Sequence, residues 1–205
     1  IDQQQSLQAL LLALDKYAIT IYVYAELLEK FNLQASPGKE PLIAFNSFSA
    51  IHDSIDCLIS LGGDGTVLDA VTIVGDSQIP ILGINYGRLG FLATISKDEL
   101  TVMVEALVNR TYVIEKRTLL HLDADPIIFG NAPYALNEFA IHKRDTSPMI
   151  KIHTYLNGEF LNSYWADGLI VSTPTGSTGY NMSCNGPILF PDSASFVIPT
   201  VAPHN

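Results

Sequence analysis

Hydrophobic positions in the first half of the chain alternate between helical and strand spacing. Leucines and alanines at helical spacing predict a helix over residues 3–15, and an alternating β-branched run predicts a strand over residues 19–24. An apolar strand over residues 56–61 leads through a glycine-rich turn into a helix over residues 67–74. A further strand over residues 79–85 and an amphipathic helix over residues 97–109 complete this half. Strands that alternate with helices predict a doubly wound, Rossmann-like α/β domain with its ligand crevice at the carboxyl ends of the strands.

The second half changes to successive short strands without long helical spacing between them. Asn157-Gly158 is typical of a type I′ hairpin turn. The strands are predicted over residues 112–122, 135–142, 150–156, 160–164 and 169–172. We therefore predict an α/β domain over residues 1–110 and an all-β domain over residues 111–205. Because the chain begins without methionine and stops without a terminating pattern, we expect both ends to be trimmed.

Composition and charge narrow the classes of ligand. Hydrophobic residues make up 48% of the chain and charged residues 16%, which is typical of a globular protein. The net charge of −10 opposes broad contact with nucleic acid or with an anionic membrane. A small anionic ligand stays possible, because local N–H groups and a metal ion can supply the positive field that it needs.

Two cysteines, Cys57 and Cys184, lie far apart and form no metal-binding or disulfide pattern. The five histidines also lack the spacing of metal ligands. No signal peptide or membrane-spanning run is visible. These features predict a protein of the reducing cytoplasm.

The turn over residues 62–66 has the chemistry of a phosphate site. Its three glycines allow the main-chain N–H groups to approach a ligand, and the helix that follows adds the positive end of its dipole. Asp64 could accept a proton from an attacking hydroxyl or hold a divalent metal ion. A structural turn in which Asp64 only caps the helix explains the same residues. From the turn alone, both interpretations stay open.

Two later segments carry polar groups in otherwise apolar surroundings. Asn137 and Glu138 interrupt a strand, where they could bind ribose hydroxyls or simply face water at a sheet edge. Residues 165–180 combine hydroxyls, glycines and Tyr180, which suits a loop that binds phosphate and ribose and stacks on a flat ring. A polar loop with Thr178 as a helix cap is the alternative.

Together, the motifs resemble those of the NAD kinase family in order and approximate spacing. They are Gly62-Gly63-Asp64-Gly65-Thr66, the block Gly83-Ile84-Asn85-Tyr86-Gly87-Arg88-Leu89-Gly90-Phe91-Leu92, Asn137-Glu138 and residues 167–180. The resemblance runs from about residue 56 to residue 205, and the closing Ala202-Pro203-His204-Asn205 looks like the start of a further family segment.

The resemblance implies a GGDGT domain followed by a β-sandwich-like domain. It also implies that NAD is held between them, with a neighbouring subunit often in contact, and hence a homodimer or homotetramer. The implied reaction is the ATP-dependent phosphorylation of the adenosine ribose 2′-hydroxyl of NAD to give NADP, with Mg²⁺ held mainly by ATP and with Asp64 as a further candidate ligand.

By the same resemblance, Asp64 is the catalytic residue and the rest of its turn binds the phosphates of ATP: Gly62, Gly63, Gly65 and Thr66. Asp167 would meet the nicotinamide side of NAD or the ligand of the neighbouring subunit. The implied NAD-binding residues are Asp64, Gly65, Phe91, Asn137, Glu138, Asp167, Thr175, Thr178, Gly179, Tyr180, Asn181, Met182 and Ser183.

Two departures from the family pattern bear on these roles. Gly179 stands where the family commonly has alanine. The helix that contains Asp69 and Thr72 lacks the basic residue that many members carry slightly later. Phosphate neutralisation is therefore expected to depend on Mg²⁺ and on a basic residue among Arg88, Lys143, Arg144 and Lys151.

Two other functions fit parts of the sequence. Lipid and sphingoid-base kinases resemble this chain in using a GGDGT-type loop for ATP, but they need an apolar acceptor site. A non-catalytic dinucleotide sensor would use Asp64 only as a helix cap.

Overall fold

The computed structural model describes residues 3–87, 90–130, 133–144 and 148–203. The chain divides into two compact units, Ile1–Ile114 and Glu115–Asn205. Among the described residues, every strand pair of the first unit is parallel, and every strand pair of the second is antiparallel. The predicted α/β unit and the predicted β-sheet unit are therefore both confirmed. Arg88, Leu89, His204 and Asn205, which carry part of the sequence predictions, lie outside the described residues.

The first unit alternates helices with short strands. Its elements are α1 (Gln3–Leu14), β1 (Tyr22–Tyr24), α2 (Ala25–Phe31), β2 (Ile43–Phe45), β3 (Leu58–Gly62), α3 (Asp64–Val74), β4 (Ile81–Asn85), β5 (Ile95–Ser96) and α4 (Leu100–Asn109).

The parallel sheet β3-β4-β5 brings the two glycine-containing turns to one edge. Strand β3 pairs with β4 in a register that sets Gly62 opposite Asn85, so both strands end at the same level. Because the strands are parallel, the segments that follow them leave the sheet at the same side. The predicted location of both turns at the carboxyl edge is confirmed.

Helices α1 and α4 cover this sheet with a shared apolar core. Ile84 of β4 is fully buried, and Leu10, Leu14, Met103 and Val104 pack in the same cluster. Burial of apolar surface of this kind supplies about 25 cal/mol for each Å² removed from water. The core therefore holds β4, and with it the segment that follows β4, in a fixed place.

Several element limits differ from the sequence predictions. The first strand is shorter than predicted and begins at Tyr22. The predicted helix 97–109 begins with a 3-10 turn, Lys97–Glu99, which has a capping box formed by Ser96 and Glu99. Helix α2 and strand β2 were missed. The residues of α2 are not buried, so its sequence lacks a clear amphipathic pattern.

The second unit is built around one long strand. Its elements are β6 (Leu120–His121), β7 (Tyr134–Ala135), β8 (Glu138–His142), β9 (Ile150–Leu156), β10 (Glu159–Ser172), α5 (Tyr180–Ser183) and β11 (Thr200–Pro203). Strand β10 pairs with β9 through its first half and with β8 and β11 through its second half.

The predicted strand over residues 112–122 is wrong. Only Leu120–His121 is a strand, and Val113 and Ile114 lie exposed at 94% and 57%. The β-branched pattern is present, but among the described residues the stretch before Leu120 pairs with no neighbouring strand. A strand needs a partner for its N–H and C=O groups, and the pattern alone cannot supply one.

The predicted strands 160–164 and 169–172 are one continuous strand, β10. Asp167-Gly168 lies within it rather than in a loop. A Cβ at Gly168 would overlap the carbonyl oxygen of Ile141 on β8, so the glycine marks a close approach of two strands. The hairpin between β9 and β10 is confirmed, since Asn157 and Gly158 both have positive φ, 52° and 88°.

Neither thiol is paired, and no described helix has the length and apolar character to cross a bilayer. Burial, together with the charge of Asp56, raises the pKa of the Cys57 thiol to about 11. That thiol is therefore protonated and unreactive at neutral pH.

A matched pair of substitutions on α4 tests the core assignment. Val104 is 1% exposed and Val102 is 69% exposed on the same helix. We expect Val104→Ala to lower the free energy of unfolding by roughly 2 kcal/mol, because it removes buried methyl groups and leaves a cavity. Val102→Ala should change it by less than about 0.5 kcal/mol. Urea denaturation measures both, and equal losses would contradict the assignment.

Candidate functional site

The carboxylate of Asp64 is bound by the main chain that follows β4. Asp64 is the first residue of α3, directly after Gly63 at the end of the β3 turn. Its Oδ2 accepts a hydrogen bond from the N–H of Phe91 at 2.8 Å, and its Oδ1 accepts from Leu92 and Ala93 at 2.9 and 3.0 Å. The glycine-rich turn and the segment after β4 therefore form one cluster.

Gly90 gives this carboxylate its space. A Cβ at residue 90 would overlap all three terminal atoms of the Asp64 side chain. Gly62 is needed for a similar reason, since a Cβ there would overlap the side chain of Thr66. Both glycines are therefore required by the fold itself, before any ligand is considered.

Gly63 and Gly65 differ from those two glycines. Outside their own chain neighbours and helix backbone, a Cβ at either residue would meet no heavy atom of the described chain within 4 Å. Neither has a positive φ that would demand glycine. Steric contacts therefore do not require these two glycines, and the absence of side chains leaves room for a ligand to approach their main-chain N–H groups.

Asp64 is ionised at neutral pH. Burial acts to raise the pKa of Asp64, but the hydrogen bonds from Ala93, Phe91 and Leu92 outweigh it and leave the pKa below the ordinary value of 3.8. A carboxylate offers about four lone-pair sites, of which these bonds occupy three. One site is left for a hydroxyl or a cation.

Phe91 extends away from this cluster. Its N–H is bound to Asp64, yet its side chain is 72% exposed. An exposed aromatic ring on an anchored main chain can stack on a flat ligand ring.

A second cluster, in the second unit, joins Asn137 and Glu138 to the loop after β10. The N–H of Thr173 donates to the carbonyl oxygen of Asn137 at 2.9 Å, and the Thr173 hydroxyl donates to the carbonyl oxygen of Leu136. Gly176 packs against the Asn137 main chain so closely that a Cβ there would overlap it. The structure therefore brings together two of the segments that the sequence singled out separately.

Glu138 has a partly desolvated carboxyl group beside this loop. Burial raises the pKa of Glu138, and its Oε2 is buried with no hydrogen-bond partner among the described residues. Gly179 lies next to it, since a Cβ at residue 179 would be 3.3 Å from Glu138 Oε2 and 3.6 Å from Asn137 Nδ2. A polar atom in this position is suited to a ligand hydroxyl, which would supply the missing bond.

Asn181 has a structural place in the loop, and its contact with NAD stays a prediction. It is fully buried, and its amide donates to the carbonyl oxygens of Ser177 and Pro187, both at 2.9 Å. Ser177 is also fully buried, and its hydroxyl donates to Pro174 O and accepts from Leu189 N. These two side chains hold the loop together, while Thr175, Thr178 and Gly179 are half-buried and Tyr180 is exposed.

The remaining predicted contacts of this loop lie at its surface. Met182 is 50% exposed, Ser183 is exposed, and Tyr180 stacks on the ring of His142 with centroids 5.7 Å apart. Thr178 is a member of the 3-10 turn Thr175–Thr178, and the cap of α5 is Gly179, so the alternative of Thr178 as a helix cap is wrong.

Three of the basic residues proposed to neutralise phosphate lie among the described residues. Lys143 Nζ forms an ion pair with Asp167 Oδ1 at 2.8 Å. Lys151 Nζ lies over the ring of Trp165, 5.4 Å from its centroid. Arg144 is exposed. The charge of Lys143 is therefore already balanced by Asp167, another predicted site residue.

Sequence reasoning missed Arg117. Its Nη1 donates to Thr175 Oγ1 at 3.3 Å, across 58 positions of sequence, and its Nη2 pairs with Glu115 at 2.8 Å. No motif surrounds Arg117, and the stretch before Leu120 was predicted as a strand. Nothing local in the sequence indicated the contact.

Comparison with known proteins identifies the family. Residues 10–112 match the model of the ATP-NAD kinase N-terminal domain, and residues 136–205 match that of the ATP-NAD kinase C-terminal domain. The chain belongs to the NAD kinase family. It is similar to an NAD kinase of Porphyromonas gingivalis, with 40% identity over 205 residues, which is 100% of this chain and 69% of the relative.

Other relatives match a shorter part. An NAD kinase of Cytophaga hutchinsonii is 55% identical over 150 residues, 73% of this chain and 51% of the relative. The chain spans about half the length of the first curated relatives that it matches.

Two solved structures share the family fold. A yeast NADH kinase in complex with NADH matches with a TM-score of 0.86 and 25% identity, over 98% of this chain and 62% of that one. An NAD kinase of Archaeoglobus fulgidus in complex with ATP matches with a TM-score of 0.63 and 27% identity, over 91% and 72%.

Gly90→Ala tests the space that the Asp64 carboxylate needs. We expect the added methyl group to displace the carboxylate, to cost about 1–3 kcal/mol of stability, and to remove hydrogen-exchange protection from the amides of residues 91–93. Gly87→Ala is the control, because its Cβ would have an ordinary contact of 3.9 Å with Asn85. Unchanged protection in Gly90→Ala would contradict the anchoring.

Asp64→Asn tests the pH dependence of the same bonds. A pKa lowered on folding means that the carboxylate stabilises the fold fully above its ordinary value of 3.8, and that this contribution is lost as the pH falls through the folded-state pKa. The variant should be less stable than the wild-type chain at neutral pH, and the difference should shrink in acid. Urea unfolding over a pH series measures this, and a constant difference would show that the charge is not involved.

Proposed function

We propose that the protein containing this chain is an NAD kinase, which transfers the γ-phosphate of ATP to the 2′-hydroxyl of the adenosine ribose of NAD and so forms NADP. The observation that carries the proposal is the ionised Asp64 carboxylate, anchored at 2.8–3.0 Å in a turn where Gly63 and Gly65 are free of steric neighbours. Family membership and the solved relatives with NADH and with ATP support the choice of substrates.

In this proposal, Asp64 orients the ribose hydroxyl and accepts its proton. A carboxylate with a lowered pKa is a weak base, but phosphoryl transfer passes through a loose transition state in which positioning dominates. The proton then leaves the hydroxyl late, as the oxygen bonds to phosphorus. General-base assistance of this kind is worth about 10²–10⁴-fold in rate.

The main chain around Gly63 and Gly65 would hold the phosphates of ATP. Helix α3 begins at Asp64 and directs its positive end toward this turn. Thr66 adds an exposed hydroxyl, and Gly62 permits the bend. Neutral donors of this kind bind an anion without the basic residue that many family members carry.

Each cluster offers groups that we propose for contacts with NAD. Phe91 offers its exposed ring, and Asn137 with Glu138 offers polar groups for ribose hydroxyls. In and after the loop that follows β10, the proposed contacts are the residues that are not fully buried: Thr175, Thr178, Gly179, Tyr180, Met182 and Ser183. Asp167 on β10, which pairs with Lys143, is a further proposed contact. Asn181 would act by holding the loop together.

The proposed reaction would use a divalent cation, with Mg²⁺ as the first choice, which the phosphates of ATP would mainly hold. Among the described residues, no group of three or more His, Cys, Asp or Glu side chains could form a protein cage for a metal. Asp64 has one lone-pair site left and could contribute a single ligand. Bound Mg²⁺ would neutralise the charge that develops on the transferred phosphoryl group.

We extend the proposal to a homodimer or homotetramer in the cytoplasm. Exposed apolar side chains on β9 and β10, such as Tyr155, Leu156, Phe160 and Trp165, are suited to burial against another surface. Two unpaired cysteines suit a reducing compartment.

The proposal is tested by ATP-dependent formation of NADP by the complete protein, followed by enzymatic assay of NADP. We expect turnover by the wild type and a loss of about 10²-fold or more in kcat for Asp64→Asn. The affinity for NAD should also fall in this variant, because an amide cannot accept all three N–H bonds that hold Phe91 in place. Phosphorylation of a lipid with NAD inert would favour a lipid kinase. NAD binding without NADP formation would favour a sensor.

Gly65→Ala tests whether glycine is required at this position for ligand binding rather than for folding. Gly65 lies in the first turn of α3, where alanine should stabilise the helix by up to about 1 kcal/mol. We expect the Tm to stay or rise while the KM for ATP increases, because the methyl group blocks the approach of a phosphate. A variant that keeps wild-type kinetics would show that ATP does not contact this turn.

A further inference from the structure

Arg117 lies beside the loop that follows β10, although nothing in the sequence around it marks a site. Its side chain is 23% exposed, and its guanidinium contacts Thr175 Oγ1 at 3.3 Å. Both residues belong to the second unit. The contact places a permanent positive charge beside the loop that we propose to bind the dinucleotide.

Both side chains keep donors for a ligand. Because Thr175 Oγ1 accepts from Arg117, its own hydroxyl hydrogen can point to another acceptor. A guanidinium has five N–H donors, and the described contacts to Thr175 and Glu115 use two of them. Two neighbouring donor groups, one of them charged, suit the oxygen atoms of a phosphate.

Glu115 is a weak competitor for the guanidinium. It lies two residues from Arg117, and its side chain is 64% exposed, so its ion pair is worth little in water. A ligand phosphate carries charge on several oxygens and can take both N–H groups of the guanidinium fork at once. Replacement of the Glu115 carboxylate by a ligand phosphate at the Arg117 guanidinium therefore costs little free energy.

The other cations of this unit are less suited to the task. Lys143 is paired with Asp167, and Lys151 covers the ring of Trp165. Lys116, next to Arg117 in sequence, and Arg144 are both exposed. The chain as a whole has a net charge of −10, whereas Arg117 places a positive charge in a defined position at the loop.

We propose that Arg117, with the hydroxyl of Thr175, binds the diphosphate of the dinucleotide, and that Glu115 occupies the guanidinium until the ligand arrives. This inference rests on the proposed function only for the identity of the ligand. Arg117 acts here as a binding and positioning residue and takes no part in proton transfer.

The test compares Arg117→Gln with Lys116→Gln, which removes the same charge from the neighbouring exposed position. In the complete protein, we expect Arg117→Gln to raise the KM for NAD about tenfold or more, with kcat and the KM for ATP within about twofold. Lys116→Gln should leave all three near the wild-type values. Arg117→Lys should recover part of the loss, because it keeps the charge without the planar fork.

Direct binding separates a phosphate contact from a structural effect. By calorimetry, Arg117→Gln should lose affinity for ADP-ribose, which has the diphosphate, while its affinity for adenosine stays unchanged. Glu115→Gln should bind ADP-ribose more tightly than the wild type at low salt, and the gain should fade as salt screens the charges. Equal losses for ADP-ribose and adenosine, or a lowered Tm that accounts for the change, would overturn the proposal.

Failure of this inference differs from failure of the proposed function. Wild-type turnover together with a wild-type KM for NAD in Arg117→Gln would overturn the role of Arg117 alone. Absence of NADP formation, with ADP-ribose binding that still depends on Arg117, would overturn the kinase function and leave the binding role. No binding of ADP-ribose by the wild type would overturn the role of Arg117, and the absence of NADP formation besides would overturn both.

Discussion

Three main-chain N–H groups donate to one carboxylate, that of Asp64, and the first cluster depends on this interaction. It joins the turn after β3 to the segment after β4, about 28 residues apart, and it keeps the exposed ring of Phe91 at the same edge. Gly90 makes it possible, because any side chain there would occupy the place of the carboxylate. The glycines of this region therefore divide into those that packing requires, Gly62 and Gly90, and those that it does not, Gly63 and Gly65.

The same bonds limit the chemistry of Asp64. They lower its pKa, so the group is an anion that positions and attracts more than it abstracts. Phosphoryl transfer suits such a group, since alignment and charge neutralisation contribute more than base strength. In the function that we propose, Asp64 is both an anchor and a proton acceptor, so a change at Asp64 would disturb the loop with Phe91 as well as remove the proton acceptor. Loss of activity in one variant therefore does not by itself identify a base.

In the second cluster, buried side chains hold the main chain in place, whereas in the first cluster the main chain holds a side chain. There, three of the fully buried polar side chains, Thr173, Ser177 and Asn181, form hydrogen bonds with main-chain groups in the loop and beside it. The loop is thereby fixed to Asn137, and Glu138 keeps a buried oxygen that finds no partner in the described chain. Rigid support under an unsatisfied polar atom is what a binding site needs, because the ligand then supplies the missing bond without reordering the loop.

The sequence by itself determined the two architectures, the turn around Asp64 and the hairpin at Asn157-Gly158, because periodicity and glycine chemistry are local properties. Only the tertiary structure decided which groups meet. It showed that residues 112–119 pair with no strand in the described part of the chain, that Asn181 is fully buried, and that Arg117 reaches Thr175 across 58 positions. The physical reason is that these outcomes depend on distant neighbours. Main-chain N–H groups are chemically alike at every residue, so nothing in the letters marks Phe91, Leu92 and Ala93 as the donors that hold Asp64.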